Sequence, residues 1–139
     1  MKSNGVTIVT GLWDIKRDGL TEGWSRSYEH YLEKFSQLLE TPNNMIIFGD
    51  KKLEEFVFKI RQHENTQFIV RDQSWFKGEF YEPIQKIRTN KEWYNQTGWL
   101  GESTQAKLDL YNPLVMSKPY LLHDAKIMDK FKSTHLFWL

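Results

Sequence analysis

Val6-Thr7-Ile8-Val9-Thr10, closed by Gly11, and further along Met45-Ile46-Ile47-Phe48-Gly49 are the two stretches that decide the fold. Each is a run of apolar and β-branched residues with little polar alternation, which predicts a strand buried on both faces. Between them, Trp13 to Gly19 form a polar connection with a glycine exit. Ser25 or Ser27 then caps a helix on which Tyr28, Tyr31, Leu32, Phe35, Leu38 and Leu39 share one side, and Thr41-Pro42-Asn43-Asn44 stops it. After the second run Asp50 caps another helix, with Glu54 and Glu55 near its positive end and Leu53, Phe56, Val57 and Ile60 as its core side. Gln67-Phe68-Ile69-Val70 is a third strand, ended by Arg71-Asp72. Buried strands alternating with helices predict an α/β, Rossmann-like fold: an open, mostly parallel sheet with helices on both faces and right-handed crossovers.

Residues 73–101 break this rhythm. They scatter Trp75, Phe76, Phe80, Tyr81, Trp93, Tyr94 and Trp99 among glycine, proline and asparagine, and read as an irregular, aromatic-rich insertion of short turns. Ser103 next caps a helix carrying Ala106, Leu108 and Leu110. Asn112-Pro113 has the form of an N-cap followed by a first-turn proline, and Pro119 is expected to kink the helix that follows. Thr134-His135-Leu136-Phe137-Trp138-Leu139 forms a fourth strand. Residues 1–139 are thus expected to be one α/β domain. It ends on an apolar strand where this class of fold continues into a ligand-binding loop, which implies truncation at the C-terminus; a genuine edge strand is the alternative.

The composition narrows the function. A chain of 139 residues is the length of one domain. Nineteen Lys and Arg against 18 Asp and Glu leave a net charge of +1, far from the cationic excess of a duplex-binding surface, so no nucleic-acid partner is expected. The absence of cysteine removes disulfides, thiolate catalysis and cysteine-zinc sites. The first apolar run is too short for a secretory leader, and no run reaches the roughly 18 apolar residues of a membrane span. A cytoplasmic protein is the expectation.

In an open parallel sheet, ligands bind beyond the carboxyl ends of the strands. Thr10, Gly11, Trp13 and Asp14 fall there after the first strand, Gly49 and Asp50 after the second, Arg71 and Asp72 after the third. There is no G-x-G-x-x-G, P-loop or G-x-S-x-G, so a dinucleotide cradle and a Walker-type phosphate loop are not expected, and a hydrolase elbow is excluded. Arg26, placed in the first turn of the first helix, is opposed by the helix dipole. It is either an anion clamp at the ligand edge or a partner of Asp14, Asp18 or Glu22. Asp14 either accepts hydrogen bonds from a base or ribose or begins a turn, and Asp50 is first of all a cap. Arg71 and Asp72 either face a ligand or pair with each other, and Lys118 either reaches a sugar or phosphate or is solvated. His30, His63, His123 and His135 have no metal-ligand spacing. Trp75, Trp93 and Trp99 either stack on sugar rings or pack beneath the insertion.

Val6 to Thr10 with Trp13-Asp14-Ile15, Arg26-Ser27 with Tyr31-Leu32 and Phe35, Asn44 to Phe48, and above all Tyr111-Asn112-Pro113-Leu114-Val115-Met116-Ser117-Lys118 resemble segments of the HtrL/YibB family in the same order. That family is similar to glycosyltransferases of the GT-A type, and the resemblance covers nearly the whole chain. It implies the donor-binding, N-terminal half of an enzyme that transfers a sugar from a nucleotide-diphosphate donor to a surface glycan or lipooligosaccharide acceptor. Under this resemblance Thr10, Gly11 and Asp14 hold the nucleoside, Arg26 and Lys118 the phosphate or sugar, and Asp72 the ribose or sugar hydroxyls. It further implies a divalent ion, Mn²⁺ or Mg²⁺, held by an acidic segment expected just after Leu139, so that no metal ligand is expected within the chain. The alternative to the transferase is a non-enzymatic glycan- or protein-binding module that uses the Trp-rich segment.

Overall fold

The computed structural model describes residues 5–139, and the chain has an α/β fold built on an open, all-parallel four-stranded sheet. Its strands are β1 (Val6–Leu12), β2 (Asn44–Gly49), β3 (Thr66–Val70) and β4 (His135–Trp138), in the order β3-β2-β1-β4. The helices are α1 (Tyr28–Leu39), α2 (Lys51–Phe58), α3 (Tyr81–Arg88), α4 (Lys91–Tyr94), α5 (Thr104–Lys107) and α6 (Tyr111–Met128). The chain divides into two compact units. One holds the sheet, as residues up to Trp13, Glu33–Asp72 and Lys118–Leu139; the other is formed by Asp14–Leu32 and Gln73–Ser117.

In the sheet unit, β2 is the centre of the core: Met45, Ile46, Ile47 and Phe48 are all sealed from water. Burial of each such side chain contributes about 1.5–3 kcal/mol relative to exposure. Pairing Val9 with Ile46 and Trp138, and Gly11 with Phe48 and Ile69, sets these residues on one face of the sheet. The C-terminal half of α6 covers that face, since Gln67 in the same row donates to the carbonyl of Met128 at 2.7 Å. The opposite face carries Met45, Ile47 and Gly49, and α2 packs there with Leu53 against Gly49. Helices therefore lie on both faces.

Local signals account for the element starts. Ser27 Oγ accepts from the His30 amide at 3.0 Å, which selects it over Ser25 as the cap of α1. Asp50 caps α2 by accepting from the Leu53 amide at 2.9 Å, and Ser103 caps α5 by accepting from the Ala106 amide.

Expectations at Gly11, Ile60 and Asn112 need correction. Gly11 does not end β1, which runs on to Leu12; the missing side chain instead makes room for Trp13, whose ring would lie 2.6 Å from a Cβ at Gly11. Ile60 is 40 % exposed and lies beyond the end of α2, while Arg61 takes the inward position at 6 % exposure. Asn112 is not a cap: α6 begins at Tyr111, and the Asn112 side-chain Nδ2 donates to the Gln105 carbonyl. Pro119, where a kink is expected, lies inside α6.

The second unit joins the segment after β1 to the insertion, with Trp24 against Trp99 and Thr21 donating to Glu102. α3 and α4 fall in the aromatic-rich insertion, separated by Thr89 and the capping Asn90. Its packing uses Phe76 and Ile84, Ala106 and Leu108, all buried. Arg88 ties α3 to α5 by donating to the Ala106 carbonyl at 2.8 Å.

Candidate functional site at the carboxyl rim of the sheet

A strand order of β3-β2-β1-β4 means that the winding reverses between β1 and β4, and the carboxyl ends of those two strands flank the reversal. This is where open α/β sheets leave a crevice. On this rim Thr10 is 3 % exposed, and its hydroxyl donates to the Leu139 carbonyl at 2.9 Å. The Leu139 amide donates in turn to the Val9 carbonyl at 2.9 Å, so β1 and β4 are laced together at their ends. Beside it Trp13 covers Gly11 and is itself fixed, its indole N–H donating to the Arg71 carbonyl at 2.8 Å.

Arg71 is the residue whose importance local spacing understated. Its backbone amide donates to the Gly49 carbonyl at 2.8 Å, which pins the start of its side chain at the end of β2. The guanidinium lies over the Phe48 ring, 5.8 Å from its centroid, and reaches Asp124 of α6 at 3.8 Å, too far for a good hydrogen bond. Its Nε–H is buried and has no acceptor among the described residues. The sequence offered only the neighbour Asp72 as a partner; the contact with Asp124 depends on the packing of α6. Asp72 itself is exposed. Lys118, on the first turn of α6 within the sheet unit, stands with its ammonium 6.0 Å from the centroid of the Trp138 ring. The α6 side of this rim thus offers two cations, Arg71 and Lys118, with one carboxylate, Asp124.

The remaining predicted site residues belong to the other unit. The Asp14 carboxylate begins a turn, accepting from the Lys16 amide at 3.0 Å and from the Lys16 ammonium at 3.1 Å. That turn takes Lys16 into the left-handed region, with φ 66°. Arg26 precedes the cap of α1 and so lies outside the first turn, where the helix dipole would have opposed it more strongly. It is exposed, donates to the Ser25 carbonyl at 2.7 Å, and has no carboxylate within ion-pair distance among the described residues. The arginine that organises this segment is Arg17, which donates to the Trp24 carbonyl at 2.9 Å and to the Tyr31 hydroxyl at 2.7 Å. Trp24 stacks on Trp99 at 6.1 Å between centroids, and Trp99 is 55 % exposed.

The divalent ion implied by the resemblance finds no ligand set here: no group of three or more metal-binding side chains occurs among the described residues. No helix among them is long and apolar enough to cross a membrane.

No curated protein and no solved structure matches the chain. A family model does, over residues 4–139, and its description is a bacterial protein of unknown function, HtrL_YibB. With a match over nearly every residue, the chain belongs to the HtrL_YibB family.

Proposed function

We propose that the chain is the donor-binding part of a cytoplasmic glycosyltransferase that moves a sugar from a nucleotide-diphosphate donor to a surface glycan or lipooligosaccharide acceptor. The observation that carries the reading is the reversal of strand order between β1 and β4, with Lys118 and Arg71 as cations on the same rim. In the transfer an acceptor hydroxyl oxygen bonds to the anomeric carbon as the bond to the diphosphate oxygen breaks. The acceptor proton leaves to a base and negative charge grows on the departing diphosphate. Cationic side chains stabilise that charge, and they act most strongly where water is excluded. Within the sheet unit the reading assigns the diphosphate or sugar to Lys118, the nucleoside to Thr10 and Gly11, and ribose or sugar hydroxyls to Asp72; Arg26 and Asp14, which the resemblance adds to this set, belong to the other unit. Thr10, having spent its proton on Leu139, keeps only acceptor capacity for a ligand. A bound Mn²⁺ or Mg²⁺ would add further neutralisation of the diphosphate; among the described residues no group of three or more side chains could hold such an ion. The test is calorimetric titration with a panel of UDP-, GDP- and CMP-sugars, with and without Mn²⁺. Binding of one nucleotide class that weakens in Lys118→Ala supports the proposal, and no binding by any donor refutes it.

A second reading has its own observation. The half-exposed Trp99, stacked on Trp24, presents a flat aromatic surface of the kind that receives sugar rings. A non-enzymatic glycan-binding module would lose glycan affinity in Trp99→Ala while keeping its fold, and would show no nucleotide binding at all.

A further inference from the structure

Two short turns of the second unit lie against each other. In one, the Trp24 amide donates to the Thr21 carbonyl at 3.0 Å; in the other, the Glu102 amide donates to the Trp99 carbonyl at 3.1 Å. Side chains three residues apart on such a turn stand nearly above one another. The two turns therefore meet twice. Trp24 stacks on Trp99, with 6.1 Å between centroids and 22° between planes, and the Thr21 hydroxyl reaches the Glu102 carboxylate at 3.5 Å. An aromatic pair thus continues directly into a polar pair.

Trp24 covers one face of the Trp99 indole, and Trp99 is still 55 % exposed, so its other face is open. Gly23 and Gly98 precede the two rings, and a Cβ at either would meet nothing within 4 Å, which leaves the approach clear. Arg17 holds the platform from behind through the Trp24 carbonyl. Beside it, Glu102 is loosely engaged: the Thr21 hydroxyl is at the outer limit of a hydrogen bond, and the Lys107 ammonium stands beyond one at 3.9 Å. The Glu102 and Lys107 side chains are both half exposed, so a carboxylate keeps acceptor capacity and an ammonium keeps donors at the edge of a flat ring. An ammonium ligand is disfavoured, because near-parallel rings make a plane rather than a cage and Lys107 already sets a positive charge beside Glu102. A pyranose fits both parts: one face of it is apolar C–H, and its hydroxyls lie around the rim.

We infer that Trp99, Glu102 and Lys107 form a binding site for one neutral pyranose ring. The sugar packs its C–H face on the Trp99 indole, donates neighbouring hydroxyls to the Glu102 carboxylate and accepts from the Lys107 ammonium. The charge-assisted bonds to Glu102 depend on where the hydroxyls stand, which makes Glu102 the residue that selects among sugars. The inference rests on the sugar-receiving surface of the second reading and adds its ligand class and polar partners, without requiring the chain to be non-enzymatic. In the transferase reading the pyranose belongs to the acceptor.

The test is an NMR titration of the 139-residue chain with methyl glucopyranoside, methyl galactopyranoside and methyl mannopyranoside, and with choline and adenosine for comparison, following the Trp99 indole N–H and the Glu102 amide. At least one pyranoside is expected to give saturable shifts at both groups. Its affinity is expected to fall about tenfold in Glu102→Gln, the size of one charge-assisted hydrogen bond, while the exposed position leaves the remaining spectrum unchanged. Lys118→Ala is expected to leave pyranoside affinity as it is, so that failure of this site and failure of the nucleotide rim are read apart. No saturable shift at Trp99 with any pyranoside, or equal affinity in wild type and Glu102→Gln, would overturn the assignment. So would choline or adenosine binding at Trp99 more tightly than every pyranoside, which would make the platform a cation or base-stacking surface.

Discussion

Arg61 is an arginine at 6 % exposure with no carboxylate in ion-pair range among the described residues, and replacing it is the sharpest test of how the sheet unit is held together. Its guanidinium donates to the carbonyls of Leu39 and Thr41 at 2.9 and 2.7 Å, of Asn43 and Asn65 at 2.6 and 3.1 Å, and to the Thr66 hydroxyl at 2.8 Å. One side chain thus closes the end of α1, the approach to β2 and the approach to β3. In Arg61→Met the apolar stem is retained and all five bonds vanish. The Leu39 carbonyl and Thr66 hydroxyl lie deepest, and a buried group left without a partner costs about 1–3 kcal/mol. The partly exposed carbonyls rehydrate at small cost, and relief from burying a charge offsets part of the loss. The net expectation is about 3 kcal/mol, a large share of the roughly 5–15 kcal/mol that holds a domain folded. In urea unfolding, with a slope of about 1–3 kcal/mol per molar, the midpoint falls by at least about 1 M. Burial pushes the Arg61 pKa below its ordinary value, and the charged form is therefore disfavoured by folding. That penalty is fully present below the folded pKa and disappears only as pH rises through the unfolded one, so the gap between wild type and variant stays constant across neutral pH. A midpoint within about 0.3 M of wild type, at the same slope, would show that the five bonds are replaced by water without loss and would refute the argument.

Gly11→Ala places a Cβ at 2.6 Å from the Trp13 ring and 2.9 Å from the Phe48 carbonyl, and is expected to destabilise the sheet unit by about 1–3 kcal/mol with a red shift of tryptophan emission; unchanged stability and emission would contradict the packing. Tyr81 is held above the ordinary tyrosine pKa, first by desolvation and then by its hydrogen bond to Asp109 at 3.2 Å. This contribution to stability is present below the unfolded tyrosine pKa and lost as pH rises through the folded one, so Asp109→Asn should move phenolate formation to lower pH in an absorbance titration. Lys118→Ala is expected to weaken nucleotide-sugar binding about tenfold, with the urea midpoint unchanged because the ammonium is tied only to a ring face; an unaltered affinity would remove Lys118 from the site.

The order of elements was legible because burial on both faces leaves a compositional mark. Val6 to Thr10 and Met45 to Phe48 have no polar side to show, and that alone separates parallel inner strands from amphipathic ones. Capping residues were legible for a similar reason: Ser27, Asp50 and Ser103 each satisfy an amide three residues on, a purely local bond. Strand order was not legible, since it depends on which runs meet across long connections. Arg61 was overlooked although a signal existed. It stands four residues after Val57 and eight after Leu53, on the inward stripe of α2 continued past its end. Charge argued for solvent there, and the carbonyls that invert the argument come from three other segments.

The candidate site was legible in part, and the reason lies in what each side chain touches. Gly11 was legible as a residue at the end of the first strand, but not the use of its missing side chain, which makes room for the Trp13 ring two residues away. Thr10 was placed at the carboxyl end of the first strand from spacing alone, and the carbonyl its hydroxyl meets there comes from the return of β4 beside β1, which spacing does not show. Arg71 gains from the same non-local logic. With its amide held by Gly49 and its carbonyl by Trp13, the residue has little freedom to swing away. Its guanidinium therefore stays over Phe48 with an acceptor still missing at Nε and a carboxylate just beyond hydrogen-bond length. A cation fixed in this way has already lost in folding the side-chain entropy that a solvated lysine would lose on meeting a ligand. On the sheet side, then, Arg71 is held more firmly than Lys118, whose ammonium lies 6.0 Å from the centroid of the Trp138 ring.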